Sequence, residues 1–187
     1  MTFDIIWGPA RYPALDAEQL NTLSEMSVRV PIVHYTMKGY LSEYAVVKHL
    51  SGIRGVSQVA KVPDYNSGHG GDIRFVYRSK LVTVEVKTAG KVKILKSGEK
   101  RSTVSFAPTR KGPGEKVKAY RVGEFDMLAI SVDAFGKHEV WYALACDLPR
   151  HTTCSEYLTT RITLTEKIPK PFTRNPRELL KRLQKRG

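Results

Sequence analysis

A chain of 187 residues that is 41% hydrophobic can bury one sizeable core, so a single domain spanning 1–187 is expected. Its 31 Lys and Arg against 18 Asp and Glu leave a net charge of +13, which favours an anionic partner, nucleic acid being the commonest. No run approaches the ~18 apolar residues of a membrane span. The opening Met1-Thr2-Phe3-Asp4 lacks the basic-then-apolar pattern of a secretory signal, so a cytoplasmic protein is expected.

In chain order, residues 1–38 read as an N-terminal lead-in, with a helix beginning near Pro13 to Leu20 and Asp16 at its start. The core is expected over about 39–145. It opens with a helix from Gly39 to Leu50, whose apolar face is read as Leu41, Tyr44, Ala45, Val47, Lys48 and Leu50 and whose end is Gly52. A strand follows near Gly55 to Val62, then a turn-rich loop over Pro63 to Gly71, then a hairpin. Residues 88–119 read as irregular, punctuated by Gly98, Pro108, Gly112, Pro113 and Gly114. Two more strands are expected near 125–132 and 138–145. Residues 146–187 read as a basic C-terminal extension that ends in a helix with Asn175 as N-cap and Pro176 at its first position.

The hairpin carries the chemistry. Asp72-Ile73-Arg74-Phe75-Val76-Tyr77 and Leu81-Val82-Thr83-Val84-Glu85-Val86-Lys87 read as two strands joined by a polar Arg78-Ser79-Lys80 turn. Side chains alternate along a strand, so Val82, Val84 and Val86 share one face, and Thr83, Glu85 and Lys87 share the other. Pairing the strands brings Asp72 near Glu85, because both lie at the ends remote from the turn. Two carboxylates beside an ammonium group suit a divalent cation and phosphodiester hydrolysis. Gly70 and Gly71, before Asp72, allow the backbone to approach a ligand closely.

These residues resemble the PD-(D/E)xK nuclease superfamily, which includes restriction, homing and junction-resolving nucleases. Its motif is an Asp, a spacer, then Asp or Glu, any residue, and Lys. Asp72 and Glu85-Val86-Lys87, with residues 73–84 between them, fit that form, although Gly71 stands where the family often has Pro. Many members carry a Glu on a preceding helix, and Glu43 is the candidate here. Tyr120 to Ile130 and Val140 to Leu144 resemble the fourth and fifth strands. The resemblance implies an α/β fold with a restriction-endonuclease-like αβββαβ core, its mixed central sheet flanked by helices. It also implies Mg²⁺, for which Mn²⁺ can substitute, held by Asp72, Glu85 and the Val86 carbonyl. Lys87 would then orient or deprotonate water, or stabilise the transition state, and Glu43 would bind a second metal or position the first.

Double-stranded DNA is the expected partner. Lys91, Lys93, Lys96, Lys100, Arg101, Arg110 and Lys111 follow directly from the hairpin and would contact phosphates, with Arg101, Ser102, Thr103 and Arg110 as candidates for base reading. The expected function is that of a sequence-specific endonuclease of restriction or homing type, acting as a homodimer so that two sites cut two strands. A structure-selective resolvase and a non-catalytic DNA-binding module are the alternatives. His69 stands close to Asp72 in sequence without being needed as a base. Cys146, His151 and Cys154 match no common paired-cysteine zinc spacing and read as free side chains.

Overall fold

The computed structural model describes residues 17–62, 71–108 and 118–186. Helix α1 (Ala17–Arg29) and helix α2 (Pro31–Ser51) are separated only at Val30, with Pro31 in the first turn of α2. Helix α2 therefore starts well before Gly39, and the Asp16 cap lies outside the described residues. Strands β1 (Val56–Lys61), β2 (Ile73–Tyr77) and β3 (Lys80–Thr88) come next, then β4 (Lys93–Ile94), β5 (Lys100–Ser105), β6 (Met127–Ser131), β7 (Val140–Leu144), β8 (Arg161–Thr165) and helix α3 (Pro176–Lys185).

Five strands form the central sheet in the order β1-β2-β3-β6-β7. The β3/β6 pair is parallel and the other pairs are antiparallel, so the sheet is mixed as expected. The β2–β3 turn is a two-residue loop in which both Arg78 (φ 46°) and Ser79 (φ 76°) are left-handed. That geometry matches the twist of the flanking strands.

Period two decides what each face of the sheet meets. Val82, Val84 and Val86 of β3, with Met127 and Ala129 of β6, pack against Val46, Val47 and Leu50 of α2 and Leu179, Leu180 and Leu183 of α3. Leu128 and Ile130 of β6, with Trp141 and Ala143 of β7, pack on the opposite side against Val104 and Phe106 and against Ile162 and Leu164 of β8. Both core-building helices thus lie on one face. A second sheet, in the order β4-β5-β8, covers the other.

Four expectations are corrected. The buried stripe of α2 is Ser42, Val46, Val47 and Leu50, while Leu41 and Tyr44 are exposed. Val47 and Leu50 lie in the buried stripe as read, but the buried serine breaks the apolar pattern, so the face is read too far towards solvent. The stretch read as irregular contains β4 and β5, whose alternation is hidden because Ser102 takes an inward position and the partner β8 lies some sixty residues away in sequence. The β3-to-β6 crossover holds these strands and, among the described residues, no helix. The C-terminal extension also does more than trail from the core: β8 and α3 each help to close one of the two clusters. The α3 cap is as read, the Asn175 side chain accepting a hydrogen bond from the Arg177 N–H at 3.1 Å.

Candidate active site

The hairpin register pairs Ile73 with Val84, which sets Asp72 at the Glu85 end of β3. The chain reaches Asp72 through Gly71, whose φ is +89°, and a Cβ there would stand 2.9 Å from the Val84 carbonyl oxygen. Gly71 is thus required by close approach to the chain's own β3 backbone, a nearer cause than the ligand approach read from sequence. The same positive φ excludes the proline that the resemblance leads one to expect, because a proline ring fixes φ near −65°. Behind it, the Asp72 N–H donates to the Val84 carbonyl at 2.8 Å, and the Val86 N–H donates to Asp72 Oδ2 at 2.8 Å. One carboxylate oxygen of Asp72 is therefore fixed by the neighbouring strand.

Glu85 faces the side of the small sheet and is buried, whereas the Val86 side chain lies in the helix-side core. Glu85 Oε1 receives hydrogen bonds from both Lys87 Nζ and the Tyr120 hydroxyl. Burial is the largest cause that raises the Glu85 pKa, and the Asp72 charge raises it further, while Lys87 and Tyr120 pull it back. Burial and the adjacent Glu85 carboxylate drive the Tyr120 phenol strongly upward, so it remains protonated and donates. Lys87 lies 5.5 Å from the centre of the Tyr120 ring, so one tyrosine holds both the acid and the base of this pair.

Tyr120 was not legible as a site residue. It stands in a loop far along the chain from Lys87 and reaches Glu85 only because it packs with Phe106 and Phe125, ring centres 5.1 and 5.3 Å away. No spacing in the sequence carries that contact.

Glu43 is brought to the same end of the sheet. Its neighbour Ser42 is hydrogen-bonded to Thr88, the last residue of β3, at 2.8 Å. The Glu43 carboxylate, however, is engaged by Lys61 Nζ at 3.2 Å, and Lys61 also lies 5.0 Å from the Tyr40 ring. Among the described residues, no three His, Cys, Asp or Glu side chains cluster as a metal site, so Glu43 does not join Asp72 and Glu85 in a three-carboxylate group. Cys146, His151 and Cys154 do not form such a group either, and His151 is turned to Thr153.

The donor set still suits a hard divalent cation. Two carboxylates repel one another in a buried setting, and added positive charge would relieve that repulsion. Among the basic residues, Lys91, Lys93, Lys96 and Arg101 are exposed. Lys100 is paired with Glu166 at 3.0 Å, and Arg101 with Glu99 at 2.8 Å. Ser102 is buried and donates to the Gly90 carbonyl at 2.8 Å, which removes it from base reading. Arg110, Lys111 and His69 lie outside the described residues. No helix among the described residues is long and apolar enough to cross a membrane.

No family model and no curated protein matches the sequence. Among solved structures the chain is similar to a bacterial homing endonuclease, I-Ssp6803I, with a TM-score of 0.50 and 21% identity over 81% of this chain and 97% of that one. At that identity the likeness speaks for the fold: a five-stranded mixed sheet with flanking helices, arranged as in a homing endonuclease.

Proposed function

We propose that this chain is a metal-dependent DNA endonuclease of restriction or homing type that hydrolyses phosphodiester bonds. The observation that carries the reading is the convergence of Asp72, Glu85 and Lys87 on one end of a β-hairpin, in a fold shared with a homing endonuclease. Asp72 and Glu85, with the Val86 carbonyl, would hold Mg²⁺ or Mn²⁺. The ion would supply charge neutralisation at the phosphate and a lowered pKa for bound water.

The residues divide the remaining work. Asp72 is oriented by the Val86 N–H, which fixes one oxygen and leaves the other for a ligand. Tyr120 aims Glu85 by donating to Oε1 and favours its ionised form against the burial that opposes it. Lys87, paired with Glu85 and open towards solvent, would stabilise charge on the phosphate or hold the attacking water through its ammonium group. Glu43, occupied by Lys61, acts on the site by position. Lys91, Lys93, Lys96, Lys100 and Arg101, with Arg110 and Lys111, supply the phosphate contacts that make affinity fall with salt. Two copies acting together would cut both strands of a duplex.

The test is incubation of wild type and Lys87→Ala with supercoiled plasmid, linear plasmid and a four-way junction, in Mg²⁺, Mn²⁺ and EDTA. Discrete metal-dependent fragments that disappear in the variant are expected. Cleavage of the junction alone would make the enzyme structure-selective. DNA retarded but intact under every condition would leave a binding module and overturn catalysis.

A further inference from the structure

The outward face of the small sheet has a composition that its inner face does not require. Strands β5 and β8 pair Arg101 with Thr165, Thr103 with Thr163, and Ser105 with Arg161. The residues between them, Ser102, Val104, Ile162 and Leu164, are buried against the core. The six named residues therefore line the opposite surface, where all are exposed except the half-buried Thr165. They supply hydroxyls and guanidinium groups and no carboxylate. The two acids beside this surface are already engaged, Glu99 with Arg101 and Glu166 with Lys100. Thr103, Ser105, Arg161 and Thr163 make no side-chain hydrogen bond among the described residues. A sheet face that merely meets water ordinarily mixes both signs of charge, and this one does not.

Its placement ties it to the candidate active site. Phe106, next to Ser105, packs its ring on Tyr120, whose hydroxyl bonds Glu85. Near the middle of β5, a Cβ on Gly90 would stand 2.7 Å from the Thr103 carbonyl oxygen, so β5 is pressed against the chain just three residues beyond Lys87. The ribbon is thus fixed relative to the site through packed backbone.

We propose that the outward β5–β8 ribbon enters the major groove of duplex DNA and reads base edges through Thr103, Ser105, Arg161 and Thr163. The inference rests on the nuclease reading and adds where sequence is read. A two-stranded ribbon fits the major groove, Arg there pairs with guanine O6 and N7, and Ser and Thr pair with either donors or acceptors. Rows two residues apart along a strand give a reading length on the order of 14 Å from the Ser105–Arg161 row to the Arg101–Thr165 row, or about four base-pair steps. Arg161 lies in the row nearest the site, and Arg101, oriented by Glu99, lies in the far row.

The test is selection of bound duplexes from a random library by full-length protein carrying Lys87→Ala, so that bound DNA stays intact in Mg²⁺. The selection is repeated with added Thr103→Val/Thr163→Val, and separately with Arg161→Lys, which keeps the charge and removes the fork. All three changes are at exposed positions, and matched thermal unfolding verifies that the variants are folded. The expected result is an enriched motif for the parent and a loss of preference of about tenfold or more at adjacent positions within one four-base-pair stretch in each variant. Affinity for random DNA should change far less. An unchanged motif in both variants would overturn the ribbon assignment while leaving the nuclease reading intact. DNA binding by the parent with no enriched motif would also overturn the ribbon assignment alone. A parent that binds no duplex would overturn both.

Discussion

Two glutamate–lysine pairs, each backed by a tyrosine ring, stand at the same end of the central sheet. In one, Lys61 holds Glu43 at 3.2 Å beside Tyr40, and the lysine and glutamate side chains retain 8% and 15% of their exposure. In the other, Lys87 holds Glu85 beside Tyr120, and the exposures are 23% and 5%. The order is reversed: the first pair seals its cation, whereas the second seals its anion and leaves the cation towards solvent. Asp72 adds a second negative charge to the second pair alone. An enclosed, neutralised pair has the form of a structural clasp. An open one with excess negative charge is the form that the proposed metal and phosphate site needs.

The largest effect should come from breaking the two pairs in turn. Lys61→Ala leaves a largely buried carboxylate without its cation and should cost about 3 kcal/mol of stability, measured by urea unfolding. Lys87→Ala should cost nearer 1 kcal/mol, because Glu85 keeps the Tyr120 hydrogen bond and can take up a proton. It should nevertheless slow metal-dependent cleavage by roughly a hundredfold or more. Equal losses of stability would erase the distinction between clasp and site.

Gly71→Ala sharpens the comparison from the backbone side. A Cβ 2.9 Å from the Val84 oxygen at φ +89° should cost about 2 kcal/mol or more. It should also displace Asp72, so cleavage should fall further than stability alone explains. Cleavage that merely tracks the folded fraction would show that Asp72 does not depend on this approach. Tyr120→Phe is smaller. It removes a hydrogen bond to a charged acceptor and keeps the ring under Lys87, so about 1.5 kcal/mol is expected, together with weaker Mn²⁺ binding by calorimetry. Unchanged Mn²⁺ affinity would limit Tyr120 to packing.

Smallest per step is the effect of pH. The folded pKa of Glu85 is raised above its ordinary 4.5, so between those two values the folded chain binds more protons than the unfolded one. Stability of the metal-free protein should therefore fall as pH rises from about 4.5 through the folded pKa of Glu85, by at most about 1.4 kcal/mol per pH unit from this group. Asp72→Asn removes one cause of the shift and should flatten the fall, and saturating Mg²⁺ should oppose it. A slope unchanged by Asp72→Asn would show that the two carboxylates do not sense each other.

Much of the hairpin was legible because its information is local. Alternation in Val82 to Lys87 assigns faces, and the chain reversal at Arg78-Ser79 places Asp72 at the Glu85 end. The α3 cap was equally legible, since Asn175 and Pro176 act on the turn that they begin. What escaped was non-local. The inward serines, Ser42 and Ser102, blurred the periodicity of α2 and β5; Ser42 donates to the Lys38 carbonyl and shares a hydrogen bond with the Thr88 hydroxyl, and Ser102 donates to the Gly90 carbonyl.

The sequence by itself determined the mixed α/β character, the strands of the central sheet and the motif Asp72, Glu85 and Lys87, because strand period, turn chemistry and charge are properties of neighbouring residues. Only the tertiary structure decided that both core-building helices share one face, that Glu43 is clasped by Lys61, that Tyr120 holds Glu85, and that β5 and β8 join into one hydroxyl- and arginine-lined surface. Each of those depends on which segments far apart in the chain exclude water together, and that choice is made by the packed core as a whole.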